Sequence, residues 1–457
     1  MNHRTTSSLS VLLLAATAAA QWQQATPIAS PAGRSAAGMT WNPTTSALLM
    51  FGGDTGAFPN GASNETWSYD GSTWTLLTPT ASPNPVVGVE LVHDPVRGVF
   101  VFYGSLSTSF FGGPSIDQTW EYDGTTWTQI TTVNSPGGLG LYGMCFDSAR
   151  NRTVLYGGQP NSFFPIAANG TWEYNGTDWT QVTTVGSPGP LERPAMCFHQ
   201  GLGRTVLFGG IDPQTGGVDT TWLYDGTNWT AAVVTGPKPA VRTGAKLAYD
   251  SNRGVCVLTG GVDPTNGNQI VDSWEFDGSA WTQVASTTPG RRDGMLAYDP
   301  SRRRVVQFGG LGGTGGFTTL GDTWEYSMAR VIGTGCAGGG GVPELRAASG
   351  PRLGQNYVQD LTNLNPTIGV AVVVLSLTET PALPLAGIGM PGCFAYVTPD
   401  VLLTVLATSG IANLPIAIPT TATLNGLSLF GQGIGLDPTI NQAGLVSSNA
   451  LEGRIGQ

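Results

Sequence analysis

Short runs of alternating apolar and polar residues, separated by turn sequences, recur along the first two thirds of the chain. In residues 119–128, Trp120 and Tyr122 stand two positions apart, which places them on one face of a strand. Asp123-Gly124 then supplies residues that tolerate positive φ, as a tight hairpin requires. Trp127 begins a Thr-rich return strand. A lone hairpin of this kind is only marginally stable, but this one recurs.

Six copies of the hairpin follow one another at nearly constant spacing. Subtracting neighbouring positions of the tryptophans at 67, 120, 172, 222, 274 and 324 gives 53, 52, 50, 52 and 50 residues. Periods near 50 are typical of propeller blades rather than helical solenoids. Each copy is preceded by two further predicted strands, the second ending in Gly-Gly, as at Gly260-Gly261; the second copy departs, with Tyr103-Gly104-Ser105. Four strands per repeat make one blade.

Gly-Gly after the second strand, an aromatic residue in the third and a Trp opening the fourth resemble the kelch repeat. The resemblance covers residues 21–330 and implies a six-bladed β-propeller. It implies no function, because kelch propellers serve both as binding scaffolds and as enzymes.

The N-terminal segment is predicted to close the ring. The sixth copy lacks its fourth strand, whereas residues 21–26, which include Trp22, are similar to residues 126–131. Trp22 precedes Trp74 by 52 residues, the repeat period. Closure of this kind removes the exposed edge of an open array. Twelve tryptophans then occupy third and fourth strands, Trp41 lies in a first strand, and we interpret all 13 as core rather than sugar-stacking residues.

The repeat stops at Val331. Residues 331–457 contain short apolar runs separated by Pro, Gly and Asn, which predict a C-terminal β-sandwich after a Gly-rich junction. Gly333-Thr334-Gly335-Cys336, Pro391-Gly392-Cys393 and Ser448-Asn449-Ala450-Leu451 resemble a C-terminal module of exported proteins from planctomycete-type bacteria.

Residues 1–20 are typical of a secretory signal peptide, with Arg4 before an apolar stretch and Ala18-Ala19-Ala20 at the cleavage site. An N-terminal membrane anchor is the alternative, but the apolar run is short for a span, and no transmembrane segment is expected in the mature chain. We therefore predict a secreted or cell-surface protein, with the periplasm as a further possibility. The formal net charge of −10 argues against nucleic acid or anionic membrane as partners.

The five cysteines divide into two groups. Cys145, Cys197 and Cys256 lie in predicted blade strands and are interpreted as buried thiols. Cys336 and Cys393 lie outside the blades and are predicted to form a disulfide. No Cys-x-x-Cys, His-rich or phosphate-loop pattern is present, so neither a metal site nor another cofactor is expected.

Two sets of charged residues are candidates for a ligand site on the face formed by the loops between second and third strands and by the blade crossovers. Each arginine of the first set precedes the aromatic residue of a first strand by seven positions: Arg34, Arg242 and Arg291. Each aspartate of the second set closely follows Gly-Gly: Asp54, Asp212 and Asp263. The arginines could bind a carboxylate or sulfate, or they could hold neighbouring loops together.

The sequence favours a binding protein that recognises a protein or glycan on this loop face. The alternative is an extracellular carbohydrate-active enzyme. A galactose-oxidase-like copper oxidase needs histidine ligands, and only His93 and His199 follow the signal peptide. A sialidase-type glycosidase also uses a six-bladed propeller with three arginines, and its Asp-box resembles residues 123–127, although the Asp-to-Gly gap here is one residue short. Two carboxylates at glycosidase separation would favour the enzyme.

Overall fold

The computed structural model describes residues 22–454 apart from 58–60, 107–114, 161–166, 285, 287, 314, 328–329, 333–334, 348–350, 352–354, 422–423 and 425–426. The predicted signal peptide lies outside the described residues. Regular structure in the described part is almost entirely β, with one 3-10 helix at Ala386–Ile388.

Six four-stranded antiparallel sheets, each like a propeller blade, account for the repeats; they are called blades 1 to 6. Their strands, in order from the first to the fourth, are as follows: blade 1, Gly38–Asn42, Ala47–Phe51, Thr66–Tyr69 and Trp74–Leu77; blade 2, Val92–Asp94, Val99–Leu106, Ser115–Tyr122 and Trp127–Ile130; blade 3, Gly143–Asp147, Arg152–Tyr156, Thr171–Tyr174 and Trp179–Val182; blade 4, Ala195–His199, Arg204–Phe208, Thr221–Tyr224 and Trp229–Ala231; blade 5, Lys246–Asp250, Val255–Thr259, Ser273–Phe276 and Trp281–Val284; blade 6, Met295–Asp299, Arg304–Phe308, Thr323–Tyr326 and, from the N-terminus, Trp22–Ala25.

The N-terminal strand completes blade 6, as predicted. Trp22 stands opposite Tyr326 and Gln24 opposite Trp324 in an antiparallel ladder. The first strand of every blade contacts the first strands of its two neighbours, including those of blades 6 and 1. The six blades therefore form a closed circle around their first strands.

Tryptophans join each blade to the one before it. The tryptophan that opens each fourth strand is at most 2 % exposed, and its indole N–H donates to the Ser or Thr hydroxyl directly before the third-strand Trp of the preceding blade. These bonds measure 2.9–3.0 Å: Trp22 to Ser273, Trp74 to Thr323, Trp127 to Thr66, Trp179 to Thr119, Trp229 to Thr171 and Trp281 to Thr221. A buried indole requires such a partner, so the expected core role of these six rings is confirmed.

A second inter-blade contact uses an arginine three residues after the last aspartate of the first strand. In blade 5, Arg253 pairs with Asp250 and Glu275, and its guanidinium lies over the ring of Tyr326 in blade 6. The Tyr326 hydroxyl donates to Glu275. The same arrangement joins three further blade pairs, through Arg97 to Tyr174, Arg150 to Tyr224 and Arg302 to Tyr69.

Three short antiparallel ladders lie outside the four-stranded sheets. They pair Leu139–Gly140 with Gln159–Pro160, Ile211–Asp212 with Gly216–Gly217, and Leu311–Gly312 with both Arg291–Arg292 and Thr318–Thr319.

The last third forms one curled sheet rather than the two packed sheets of the predicted sandwich. Its strand order is Arg330–Ile332, Leu445–Arg454, Ser428–Leu436, Val370–Ser376, Val401–Thr408, Ile411–Ala417, Asn356–Thr362 and Glu344–Ala347. A separate ladder pairs Glu379–Pro384 with Phe394–Val397.

Seven of these strands, from Leu445–Arg454 to Glu344–Ala347, make a nearly closed barrel. The Leu345 backbone N–H donates to Asn449 Oδ1 at 2.8 Å, and Asn449 Nδ2 donates to the Leu345 carbonyl at 3.0 Å. The seam is the gap between Leu445–Arg454 and Glu344–Ala347. There the amide side chain of Asn449 makes hydrogen bonds that backbone groups make between the other strands. Buried Leu345, Tyr357 and Val373 lie among the residues of the core inside the curl.

Cys336 and Cys393 form the predicted disulfide, with Cα atoms 5.0 Å apart. Cys145, Cys197 and Cys256 are buried free thiols, also as predicted.

Candidate binding cavity

The first strands surround a central channel that is sealed at one end by a ring of backbone hydrogen bonds. The Ala36 N–H donates to the Asp293 carbonyl, and the circle continues from Gly88 to Ala36, Leu141 to Gly88, Arg193 to Leu141, Gly244 to Arg193 and Asp293 to Gly244, at 2.7–3.2 Å. All six residues have positive φ, between 52° and 75°. Four of them are not glycine, so their backbone strain must be offset by the closed circle.

A cavity of about 450 Å³ occupies the rest of the channel and opens at the turns between first and second strands. All six blades contribute to its wall. One apolar residue per blade, at the second position of the first strand or, in blade 2, directly before that strand, forms one tier: Met39, Leu91, Met144, Met196, Leu247 and Leu296. This volume lies within the range of pockets that enclose small ligands.

Aromatic residues and one histidine form a second tier close to the opening. Each blade supplies one of them: Trp41, His93, Phe146, Phe198, Tyr249 and Tyr298. Trp41, His93, Phe146 and Tyr249 are only half-buried. Trp41 packs against the core between blades 1 and 6, as expected, and it also lines the cavity.

The rim of the opening carries no charged lining residue in the described part of the chain. It consists of exposed proline, serine and glutamine side chains at Pro43, Pro95, Ser148, Gln200, Ser251 and Pro300. Such a rim gives no electrostatic attraction to an anionic ligand.

An ion pair crosses the channel at the sealed end. Glu90 of blade 2 pairs with Lys246 of blade 5 on the opposite wall. Burial raises the pKa of Glu90, Lys246 opposes that shift, and Asp293 adds to it. Glu90 is the sole carboxylate among the described cavity-lining residues, so two acids at glycosidase separation are not brought together here.

The three candidate arginines lie inside the blades rather than at a free surface. Arg34, Arg242 and Arg291 are at most 1 % exposed. Each donates to the carbonyl of the first Gly of its own Gly-Gly pair, at 2.9–3.2 Å. Each also pairs with the carboxylate two residues before the Trp of its third strand, namely Glu65, Asp272 or Asp322.

These contacts favour the structural role considered for the arginines over the ligand role. In the other three blades the equivalent positions hold the buried apolar residues Val86, Leu139 and Leu191, and the acid is replaced by Gln118, Gly170 or Thr220. Arginine and acid thus occur together or not at all. That coincidence within the sequence was the signal that could have identified the pairs.

The three candidate aspartates organise their own loops. Asp54 Oδ1 accepts from the Gly56 N–H at 2.8 Å, Asp212 Oδ1 from the Gln214 N–H at 2.8 Å, and Asp263 Oδ1 from the Thr265 hydroxyl at 2.6 Å. These bonds lower the pKa of Asp212 and of Asp263. No hydrogen bond or ion pair joins these aspartates to the candidate arginines among the described residues. Ligand binding by these six residues stays a prediction.

No cluster of three or more His, Cys, Asp and Glu side chains suited to a metal ion occurs in the described part of the chain. The described residues also contain no helix with the length and apolar character to span a membrane. No protein-family model matches the sequence, and no curated protein is detectably similar to it.

Proposed function

We propose that this chain is a secreted, kelch-like six-bladed propeller that binds a protein or glycan partner, by admitting an apolar or aromatic group of that partner into the open channel. The domain division proposed with it is a signal peptide at 1–20, the propeller at 21–330 and a C-terminal domain at 331–457. The observation that carries the proposal is the cavity of about 450 Å³ with apolar and aromatic walls, one sealed end and an uncharged rim.

The chemistry of the wall supports recognition rather than catalysis. Contact with Met, Leu and aromatic side chains removes an inserted apolar group from water, which favours binding. The half-buried Glu90–Lys246 pair at the far end offers a polar group to the tip of that insert. A protein side chain, or a sugar ring with an apolar face, can place apolar surface against the wall and a polar group near the Glu90–Lys246 pair.

The test screens the chain from residue 21 onward against a random peptide library and a glycan array. Trp41→Ala removes a half-buried ring from the cavity wall, and we expect it to weaken any selected ligand about tenfold, the loss of about 1.4 kcal/mol. Phe317→Ala is the matched control, because Phe317 is an aromatic residue 73 % exposed on a loop between second and third strands.

A ligand that Phe317→Ala weakens while Trp41→Ala does not would locate the site on the loop face, and would overturn the proposal for the channel. Asp263→Asn then tests the loop face directly, because Asp263 lies on a neighbouring loop of the same kind.

A further inference from the structure

Two free thiols from neighbouring blades lie in contact. Cys197 is in the first strand of blade 4, and Cys256 is in the second strand of blade 5. Their sulfur atoms are 3.1 Å apart, and the residues are 7 % and 0 % exposed. A disulfide needs sulfur atoms about 2.05 Å apart, so a movement of about half an ångström by each sulfur would join them.

The same inter-blade position occurs one blade earlier with different chemistry. Cys145 of blade 3 occupies the position of Cys197 and faces Thr205 of blade 4, which occupies the position of Cys256, at 3.6 Å. The fold therefore brings these two positions together at successive blade interfaces. Only the interface between blades 4 and 5 has a thiol on both sides.

The position and the burial of the pair have opposite effects on its oxidation. Cys197 is among the residues that line the channel cavity, and its sulfur contacts that of Cys256. Burial raises the pKa of Cys197 well above its usual value, which lowers the thiolate fraction and slows attack on a disulfide. The Cys336–Cys393 bond shows that the chain already contains one oxidised pair.

We propose that Cys197 and Cys256 are a second disulfide site, which covalently joins blades 4 and 5 by exchange with a small-molecule disulfide of the glutathione type. One cysteine thiolate attacks the reagent disulfide and releases one reagent thiol. The second cysteine thiolate then displaces the other reagent thiol from the mixed disulfide. In total, two protein thiols and one reagent disulfide give one protein disulfide and two reagent thiols, and both cysteine protons pass to the released thiols.

The bond would cross-link residues 59 positions apart and would restrict the unfolded chain more than the folded one. It would also prevent blades 4 and 5 from separating, since apart from the polypeptide backbone no covalent bond joins the blades in the described residues.

The experiment incubates the folded chain from residue 21 onward with oxidised glutathione, and refolds a second sample in a mixture of oxidised and reduced glutathione. Free thiols are then counted in denaturant, and non-reducing peptide maps are recorded. We expect the count to fall from three to one, with Cys145 as the remaining thiol and the Cys197 and Cys256 peptides linked. The thermal midpoint should rise by several degrees on oxidation.

Cys256→Thr is the matched variant, because it reproduces the Cys145–Thr205 arrangement of the preceding interface. It should retain two free thiols and show no rise in midpoint on oxidation. Three free thiols in both wild-type samples, with Cys336–Cys393 formed in the same tubes, would overturn the proposal. A Cys145 peptide linked to either partner would overturn it as well.

Discussion

At the scale of single residues, three of the six blades depend on a buried arginine that pairs with a carboxylate of the same blade. The sequence showed that Arg34, Arg242 and Arg291 share one repeat position, and this was correct. Their partners lie 30 or 31 residues further along the chain, across a loop of variable length. Their joint occurrence at two fixed repeat positions signals the pairing, but it does not show that the guanidinium is buried, because that burial is produced only by the folded blade.

The residues of the arginine contact between neighbouring blades are also replaced together. Blade 4 has Leu202 and Leu223 in place of the arginine and the glutamate, and the next blade has Phe276 where other blades have tyrosine. At that interface the tyrosine hydroxyl and its carboxylate acceptor are absent together, whereas between blades 1 and 2, where Ser68 replaces the glutamate, the Tyr122 hydroxyl donates to the Gly124 carbonyl instead. A buried hydroxyl without a partner costs about 1–3 kcal/mol, which explains the joint replacement.

Arg242→Ala should lower the free energy of unfolding by about 3–5 kcal/mol, because it leaves Asp272 without its buried partner. Chemical denaturation measures the loss. Arg204→Ala is the control, since the Arg204–Asp225 pair is 43 % and 34 % exposed and surface pairs contribute about 0–1 kcal/mol. Equal losses in the two variants would contradict a structural role specific to Arg242.

Glu325 should make stability depend on pH in the acid range. Burial acts to raise the pKa of Glu325, but Arg302 and Arg304 outweigh it, so the pKa lies below its usual value. A carboxyl with a lowered folded pKa stabilises the fold above its unfolded pKa, about 4.3, and loses that contribution as pH falls through the folded pKa.

Denaturation of wild type and Glu325→Gln from pH 3 to pH 7 tests this dependence. We expect wild type to be the more stable above about pH 5, and the difference to shrink as the pH falls below about 4.3. The exposed pair of Asp219 and Lys238 supplies the control variant Asp219→Asn, which should leave the curve nearly unchanged. A difference that is constant with pH would show that the Glu325 charge is not responsible.

At the scale of whole elements, prediction succeeded where the chain repeats and failed where it does not. The N-terminal strand was identifiable because Trp22 stands one repeat period before Trp74. The C-terminal strands have no period, so their apolar runs fitted a sandwich as well as a curled sheet. The seam depends on Asn449, whose side-chain bonds to Leu345 no strand pattern encodes.

Trp22→Ala should destabilise the protein by about 3–5 kcal/mol, because it removes a ring 1 % exposed and the hydrogen bond to Ser273. Gln24→Ala in the same strand removes an exposed side chain and should change stability by less than about 0.5 kcal/mol. Thermal and chemical unfolding of both variants provide the comparison. If Trp22→Ala unfolds like wild type, the strand does not hold the circle closed.

At the scale of the whole molecule, the open cavity and the candidate residues chosen from sequence lie at opposite ends of the channel. The loop face holds Asp54, Asp212 and Asp263, and it also holds the ring of hydrogen bonds that seals the channel. Each ring member looks ordinary in sequence, and the seal exists only when six blades meet. The repeat is enough to assign the cavity wall to the first strands, but it does not show which end of the channel is open.

The C-terminal sheet is attached on the side where the cavity opens. In the turn between the first and second strands of blade 6, Arg303 pairs with Asp360 of the C-terminal sheet. Arg346 Nη1 of that sheet donates to the Ser301 carbonyl at 3.1 Å, and Arg304 lies 3.8 Å from Glu344. These polar contacts place the sheet beside one segment of the rim, and no C-terminal residue lines the described cavity.

Arg303→Asn should loosen this attachment without straining the turn. Arg303 has a φ of 55°, and blade 3 already has Asn151 with the same φ at the equivalent position, so asparagine is tolerated there. Loss of the charged pair should cost about 1–2 kcal/mol, and hydrogen exchange should rise in the blade 6 turn and around Asp360. Asp360 keeps its bond from Asn413 Nδ2 at 2.6 Å, so the sheet itself should remain folded. Unchanged exchange on both sides of the contact would mean that Arg303 does not hold the two parts together.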